Sequence, residues 1–306
     1  MSQTNILVTG GCGLVGTSLI SALLSTQRFS ITALDINPPA LGTSTYASRV
    51  RYVRASVLDG PQLAQVFAAA QPAVVVHTVG VYPLGPARYA TATAKARRDR
   101  DAVFATNVDG TRNVLDAARG CGARALVYTS SVTVVFDDLG RDFRNVDEEQ
   151  WPSGRGVVTA YGQSKSVAEA VVLAANGPGF ATCALRSAPI FGPHDAVLVP
   201  RVHALIGAWS TPFVLGKADN LQDYVYVDNV ADAHVLAVDN LLKEQTAAGH
   251  AMFITNGEPV TLRDLCLAIW KEFGHVPPFT ITVPERIAWC MGLAAEWGLS
   301  ERWVQD

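Results

Sequence analysis

Eight residues near the start, Thr9-Gly10-Gly11-Cys12-Gly13-Leu14-Val15-Gly16, constrain the fold more than any other stretch. They follow the apolar run Ile6-Leu7-Val8 and lead into helical periodicity, so a strand must turn sharply into a helix here. Gly10 permits the tight turn, Gly13 lets the backbone approach a pyrophosphate, and Gly16 lets the helix pack on the strand. The helix then presents free N–H groups and a positive dipole end. A second run, Ile31-Thr32-Ala33-Leu34, ends in Asp35, 19 residues after Gly16. A carboxylate there can accept hydrogen bonds from ribose hydroxyls, and the two features together form a dinucleotide-binding pattern. Asp35 repels a 2′-phosphate and Ile36-Asn37 offers no cation to hold one, so NAD(H) is expected in preference to NADP(H).

The same alternation continues along the chain. Strands are expected at 5–9, 30–35, 49–54, 73–77, 124–129 and 181–186. Helices are expected at 14–26, 60–70, 98–119, 159–175, 228–243, 261–273 and 285–298. The strand runs are continuously apolar, as in Ala73-Val74-Val75-Val76, which is how strands covered on both faces of a parallel sheet read. The fold class expected is therefore α/β, a doubly wound parallel Rossmann sheet with a smaller C-terminal lobe. The expected boundaries are 1–186 for a nucleotide-binding domain, with 228–254 returning to it, and 187–306 for a substrate-binding lobe. Apolar residues make up 49% of the 306, enough for a large core. The 24 basic residues are balanced by 27 acidic ones, which argues against nucleic-acid binding driven by a basic face. The N-terminus lacks the pattern of a secretory signal, and no stretch reads as a membrane span. Five scattered cysteines (Cys12, Cys121, Cys183, Cys266, Cys290) form no metal-spaced cluster, so a reduced, cytoplasmic chain without a metal site is expected.

Two further patterns carry chemistry. Tyr161-Gly162-Gln163-Ser164-Lys165 opens a helical stretch, placing the phenol and the amine one turn apart on one face. A free phenol is a poor base at neutral pH, and a nearby ammonium favours its ionised form. Upstream, Ala125-Leu126-Val127-Tyr128 ends in Thr129-Ser130-Ser131, and the C-terminal ends of parallel strands are where such sheets bind ligands.

With these residues the chain resembles an extended short-chain dehydrogenase/reductase over nearly its whole length. The family's glycine motif matches 9–16, its strand-end serine Ser131, and its tyrosine–lysine pair Tyr161 and Lys165. Asn107-Val108-Asp109-Gly110-Thr111-Arg112-Asn113 matches a further motif. The resemblance implies catalytic roles for Ser131, Tyr161 and Lys165, with Asn107 as a supporting residue. It implies cofactor contacts at Gly10, Gly13, Leu14, Val15, Gly16, Asp35, Ser56, Val57, Thr78, Tyr161 and Lys165, and a homodimer through 98–119 and 159–175. Ser56 stands where the family often has Asp, implying a weaker adenine contact. In Leu185-Arg186-Ser187-Ala188-Pro189-Ile190-Phe191-Gly192-Pro193 the proline is displaced by two positions.

Within the family the phrases 171–177, 182–186 and 223–234 are most similar to the branch of 3β-hydroxysteroid dehydrogenases and sterol-4-carboxylate 3-dehydrogenases. That implies NAD-dependent interconversion of a secondary alcohol and a ketone on an apolar polycyclic substrate, a sterol or terpenoid. Gln222 replaces the arginine that nucleotide-sugar enzymes often carry before the residue matching Asp223. Arginine suits bidentate diphosphate binding, so the replacement weakens a rival reading, an NAD-retaining epimerase or dehydratase. A non-redox isomerase of a natural-product pathway and a non-catalytic nucleotide sensor also compete with the dehydrogenase reading. Apolar loops at Val79, Val81, Tyr82 and Pro83, at Val132, Val134, Val135 and Phe136, and at Ile190, Phe191, Leu198, Val199, Trp209 and Phe213 are the expected pocket lining, about half of it shared with the core. Arg88, Lys95, Arg97, Arg98 and Arg100 mark either a solvated helix entry or a lid for an anionic group. Trp289, Leu293 and Trp297 form a stripe suited to internal packing, a dimer surface or a peripheral contact with a membrane such as the endoplasmic reticulum.

Overall fold

The apolar runs lie side by side in a parallel sheet. The computed structural model describes residues 3–82, 94–138, 142–149, 153–154 and 156–290, the side chains of 94–96 excepted. Pro83, Arg88, the Lys95 side chain, Leu293 and Trp297 lie outside the described residues. Two units are distinguished: Met1–Ala188 with Val227–Ile254, and Pro189–Tyr226 with Thr255–Asp306.

The first unit holds β1 (Thr4–Thr9), β2 (Phe29–Asp35), β3 (Val50–Arg54), β4 (Val74–His77), β5 (Ala125–Ser131), β6 (Ala181–Ser187) and, from the returning segment, β11 (Ala251–Ile254). Among the described residues these make one sheet in the order β11-β6-β5-β4-β1-β2-β3, every pair parallel. Strand order reverses between β1 and β4, the switch point at which such sheets leave a crevice beyond their C-terminal ends.

Alternate strand residues feed two apolar layers. Ile6, Val8, Ile31, Val76 and Val127 meet Leu19, Ile20 and Leu23 of α1 (Leu14–Ser25) and Val238 and Leu241 of α7 (Val227–Leu242). Leu7, Val75, Leu126 and Tyr128 face Leu63 and Phe67 of α2 (Gly60–Ala70), Val114 and Leu115 of α4 (Gly110–Gly120), and Ala168 and Val172 of α5 (Ala160–Ala174). Burial on both faces explains why these strands show no polar alternation. α2 starts with Asp59 accepting from the Gln62 amide, and α5 with Thr159 accepting from the Gly162 amide. The helix expected over 98–119 is α3 (Ala94–Phe104), a five-residue π-turn (Ala105–Asp109) and α4.

The second unit holds three two-stranded pairs: β7 (Ile190–Phe191) with β10 (Val225–Tyr226), β8 (Phe213–Leu215) with β13 (Ile281–Val283), and β9 (Leu221–Gln222) with β12 (Val260–Thr261). α6 (Leu198–Gly207) and α8 (Leu262–Glu272) share a small core of Val202, Cys266 and Trp270. The chain is helical again over 285–290.

Candidate active site

At the turn after β1, Gly10 has φ +74°, a left-handed conformation that glycine adopts without strain. A Cβ at Gly16 would lie 2.1 Å from the Gly10 carbonyl oxygen and 2.8 Å from Gly11 Cα, so only glycine allows this approach of helix to turn. A Cβ at Gly13 would meet only the Gly10 carbonyl, at 3.3 Å. Gly13 is the N-cap of α1, and no side chain caps the helix there. Leu14 and Val15 form its first turn, which leaves their amide end as an anion site. Asp35 holds this turn: its Oδ2 accepts from the Cys12 amide at 3.0 Å and its Oδ1 from the Asn37 amide at 2.9 Å. Each carboxylate oxygen retains a further lone pair. Thr78, just past β4, donates through Oγ1 to the Thr9 carbonyl at 2.8 Å. Ser56 accepts the Leu58 amide, while Val57 is buried and gives its carbonyl to Asn113.

Ser131 ends β5 and is 8% exposed. Its Oγ accepts from the Thr133 amide at 3.2 Å and the Thr133 hydroxyl at 3.0 Å. Ser131 also draws the pKa of the neighbouring Tyr161 phenol down. Tyr161 is half-buried, its ring edge-on to Tyr82 with centroids 5.0 Å apart. Crowding by protein, then the neighbouring Tyr82, pushes its pKa up to about 12, against the pull of Ser131. Lys165 is 2% exposed. Its Nζ donates to the Thr129 carbonyl at 2.5 Å and lies 4.3 Å from the Tyr128 ring centroid. Burial pulls the amine down to about 7, against the attraction of Glu169. From spacing alone, the ammonium is expected to lower the phenol. In the folded chain desolvation dominates both groups, since burial disfavours whichever form carries charge.

Asn107, in the π-turn, clamps the loop after β4. Its Oδ1 accepts from the Val81 amide at 2.7 Å, and its Nδ2 donates to the Val81 carbonyl at 3.1 Å and to Ser164 Oγ at 2.9 Å. Ser164 Oγ donates in turn to the Tyr161 carbonyl at 2.8 Å. Turns of this kind interrupt α-helices frequently at functional sites.

Several supporting residues are not found from sequence. A Cβ at Gly162 would come within 2.6 Å of the Thr133 carbonyl oxygen, so the small residue after Tyr161 lets α5 close on the Ser131 turn. Glu169, two turns after Tyr161, forms a buried ion pair with Arg186 of β6 at 2.8 Å and accepts from Ser130 at 2.6 Å. The carboxylate thereby ties α5 to the strand carrying Ser131. The i, i+4, i+8 spacing of Tyr161, Lys165 and Glu169 is the signal that could have found it.

The apolar loop residues divide between core and surface. Val134 and Val135 are buried in the first unit, and Phe136 packs on Phe143 with centroids 4.9 Å apart. In the second unit Leu198 packs on the small core, while Trp209 is 79% exposed. Gln222 accepts from the Tyr224 hydroxyl at 3.2 Å. Arg97, Arg98 and Arg100 are exposed, with Arg100 donating to Gln163 at 3.1 Å. Among the described residues no group of His, Cys, Asp and Glu is placed to hold a metal, and no helix is long and apolar enough to cross a membrane.

The chain is similar to known proteins in family and in fold. The profile of the 3-beta hydroxysteroid dehydrogenase/isomerase family matches residues 7–285. Among curated proteins, the sterol-4-alpha-carboxylate 3-dehydrogenase erg26, decarboxylating, of Schizosaccharomyces pombe is 38% identical over 97% of this chain and 83% of its own length. The protein of the same name from Saccharomyces cerevisiae is 43% identical over 62% of this chain and 55% of its own length. Among solved structures, a UDP-glucose 4-epimerase of Thermus thermophilus in complex with NAD has a TM-score of 0.71. It is 21% identical over 93% of this chain and 88% of its own, a likeness of fold alone.

Proposed function

Since the chain belongs to the 3-beta hydroxysteroid dehydrogenase/isomerase family, we propose that it is an NAD-dependent oxidoreductase converting the 3β-hydroxyl of a sterol-type substrate to a ketone. The observation that carries this reading is the buried Lys165 bonded to the Thr129 carbonyl of β5, one helical turn after Tyr161 and near the strand end that bears Ser131. When bound, NAD+ supplies the hydride acceptor.

The residues present fit that cofactor. The uncapped start of α1, with Gly10, Gly13, Leu14, Val15 and Gly16, offers the amide cradle for a pyrophosphate. Asp35 offers its spare lone pairs to a ribose. Ser56 and Val57 border the adenine side, and Thr78, Tyr161 and Lys165 the nicotinamide side. In this reading Ser131 holds the substrate oxygen, Tyr161 exchanges the hydroxyl proton with it, and Lys165 biases the phenol towards ionisation. Asn107 supports them by fixing Val81 and Ser164. The first unit is the nucleotide domain and the second the substrate lobe. Pairing of two copies through α3, α4 and α5 belongs to the same proposal.

The test is NADH formation from a 4α-carboxylated 3β-hydroxysterol, with other hydroxysteroids, triterpenoid acids and UDP-glucose as comparators. NADH should accumulate with the sterol and not with the nucleotide sugar. Sugar interconversion with retained NAD and no NADH would replace this reading with the epimerase one. Cofactor choice provides a separate check. Asp35→Asn removes the charge and keeps one acceptor oxygen, so one of the Cys12 and Asn37 amide bonds survives and the loss of the other falls on both cofactors alike. The NAD+ over NADP+ preference in kcat/KM should fall roughly tenfold, the size of one near-surface charge interaction. An unchanged ratio would locate the discrimination elsewhere.

A further inference from the structure

Three buried side chains to which the reading above gives no task line up with Asn107. Thr9, His77 and Thr111 are each 0% exposed. Thr9 Oγ1 lies 2.6 Å from His77 Nδ1, His77 Nε2 lies 3.0 Å from Thr111 Oγ1, and Thr111 Oγ1 donates to the Asn107 carbonyl at 2.6 Å. Donor counting fixes the direction of the whole line. A threonine hydroxyl has one proton, and the Asn107 carbonyl can only accept. The Thr111 proton therefore points at Asn107, so Thr111 Oγ1 must accept from His77. That puts the ring proton on Nε2 and leaves Nδ1 to accept from Thr9. Burial, and then the charge of Lys165, hold the His77 pKa down to about 3, so the ring is neutral and this tautomer is the one populated.

The far end of the line explains its use. Asn107 sits in the π-turn, where the Gly110 amide reaches back to the Ala105 carbonyl. This turn departs from the regular α-helical ladder, and the Asn107 carbonyl is held by a side chain. The side chain of the same residue holds both polar groups of Val81 and the Ser164 hydroxyl beneath Tyr161. The near end, Thr9, is the last residue of β1 before the glycine turn.

We propose that His77 is a positioning residue of the acid/base site: it turns the Thr111 hydroxyl onto the Asn107 carbonyl and so fixes the π-turn that holds Asn107 against Val81 and Ser164. The proposal rests on the reading of Tyr161 as the acid/base.

The test uses four variants of the full chain and two readouts. Thr111→Val removes the hydroxyl at nearly constant volume, and Thr111→Ser restores it. His77→Gln keeps a donor near Nε2, whereas His77→Asn keeps only an acceptor near Nδ1. In hydrogen exchange, Thr111→Val should speed the Val81 amide at least tenfold, with Val75 and Leu126 unchanged. With NAD+ and a 4α-carboxylated 3β-hydroxysterol, its kcat should fall at least tenfold while the KM for NAD+ stays within threefold. Thr111→Ser and His77→Gln should stay within threefold of wild type on both readouts, and His77→Asn should follow Thr111→Val. Unchanged Val81 exchange in Thr111→Val, or equal behaviour of the two His77 variants, would overturn the proposal. So would Val75 and Leu126 accelerating together with Val81, since that assigns the line to stability alone. The exchange readout needs no turnover. A wild type inactive on the sterol, with the exchange pattern as expected, would refute the acid/base reading and leave the positioning of Asn107 standing.

Discussion

Replacing Tyr161 by Phe should lower kcat about 10³–10⁴-fold, the upper range for loss of a positioned proton donor or acceptor, with NADH affinity within threefold of wild type. The substitution deletes one oxygen and keeps the ring that packs edge-on against Tyr82. Ser131 retains both contacts from Thr133, so the strand end has no reason to move. The hydroxyl is the one group lost, and rate is where its loss is felt. The pH dependence follows from the direction of its shift. Burial pushes the phenol up to about 12, so it is protonated at neutral pH and only the ionised fraction accepts a proton. Wild-type alcohol oxidation should rise from pH 6 to pH 8, and the Phe variant should lose that rise. Stopped-flow or steady-state NADH absorbance measures both. A loss smaller than tenfold would remove Tyr161 from the chemistry.

Gly16→Ala should weaken NADH binding at least 100-fold. Its Cβ would stand 2.1 Å from the Gly10 carbonyl oxygen and 2.9 Å from Gly10 C, distances that backbone atoms do not tolerate. Either α1 lifts away from β1 or the glycine turn opens, and both scatter the amides that face the phosphates. Gly13→Ala is the control. Its Cβ would press on the Gly10 carbonyl oxygen at 3.3 Å, a contact relieved by a shift of a few tenths of an ångström, so binding should weaken less than in Gly16→Ala while the melting temperature holds. Fluorescence titration with NADH and thermal melts separate the two cases. Wild-type affinity in Gly16→Ala would mean that the turn does not cradle the cofactor.

The sheet is largely legible in the sequence because two-sided burial writes itself as unbroken apolar runs. The runs expected at 30–35 and 73–77 are β2 and β4 to within a residue, and 60–70 coincides with α2. What escapes is short or interrupted. β11 is four residues between polar turns, recognisable only once β6 is there to pair with it. α6 begins Leu198-Val199-Pro200, where a proline in the first turn masks the helical pattern. The π-turn at 105–109 cannot be read from a helical run, because its Asn107 is held by long-range hydrogen bonds to Val81 and Ser164 that the local pattern does not encode. At the site, the spacing of Tyr161 and Lys165 is visible, but the direction of their pKa shifts is not. Those shifts depend on how much protein surrounds each group, which spacing does not encode. Glu169 and Arg186 escape for the same reason: two charges read as surface residues until the fold closes over them as a pair.

The division of the first unit into Met1–Ala188 and Val227–Ile254 has a consequence for biosynthesis. The layer containing Ile6, Val8 and Val127 is completed by Val238 and Leu241 of α7. Arg28 meets Asp239 at 2.8 Å, and Thr129 meets His234 at 2.7 Å. A nascent chain halted after 188 therefore carries an open apolar flank on its earliest strands, closed only when the ribosome has delivered the α7 segment. Folding of the amino-terminal half is thereby deferred to a late stage of translation, and truncations between 188 and 242 should accumulate as aggregates.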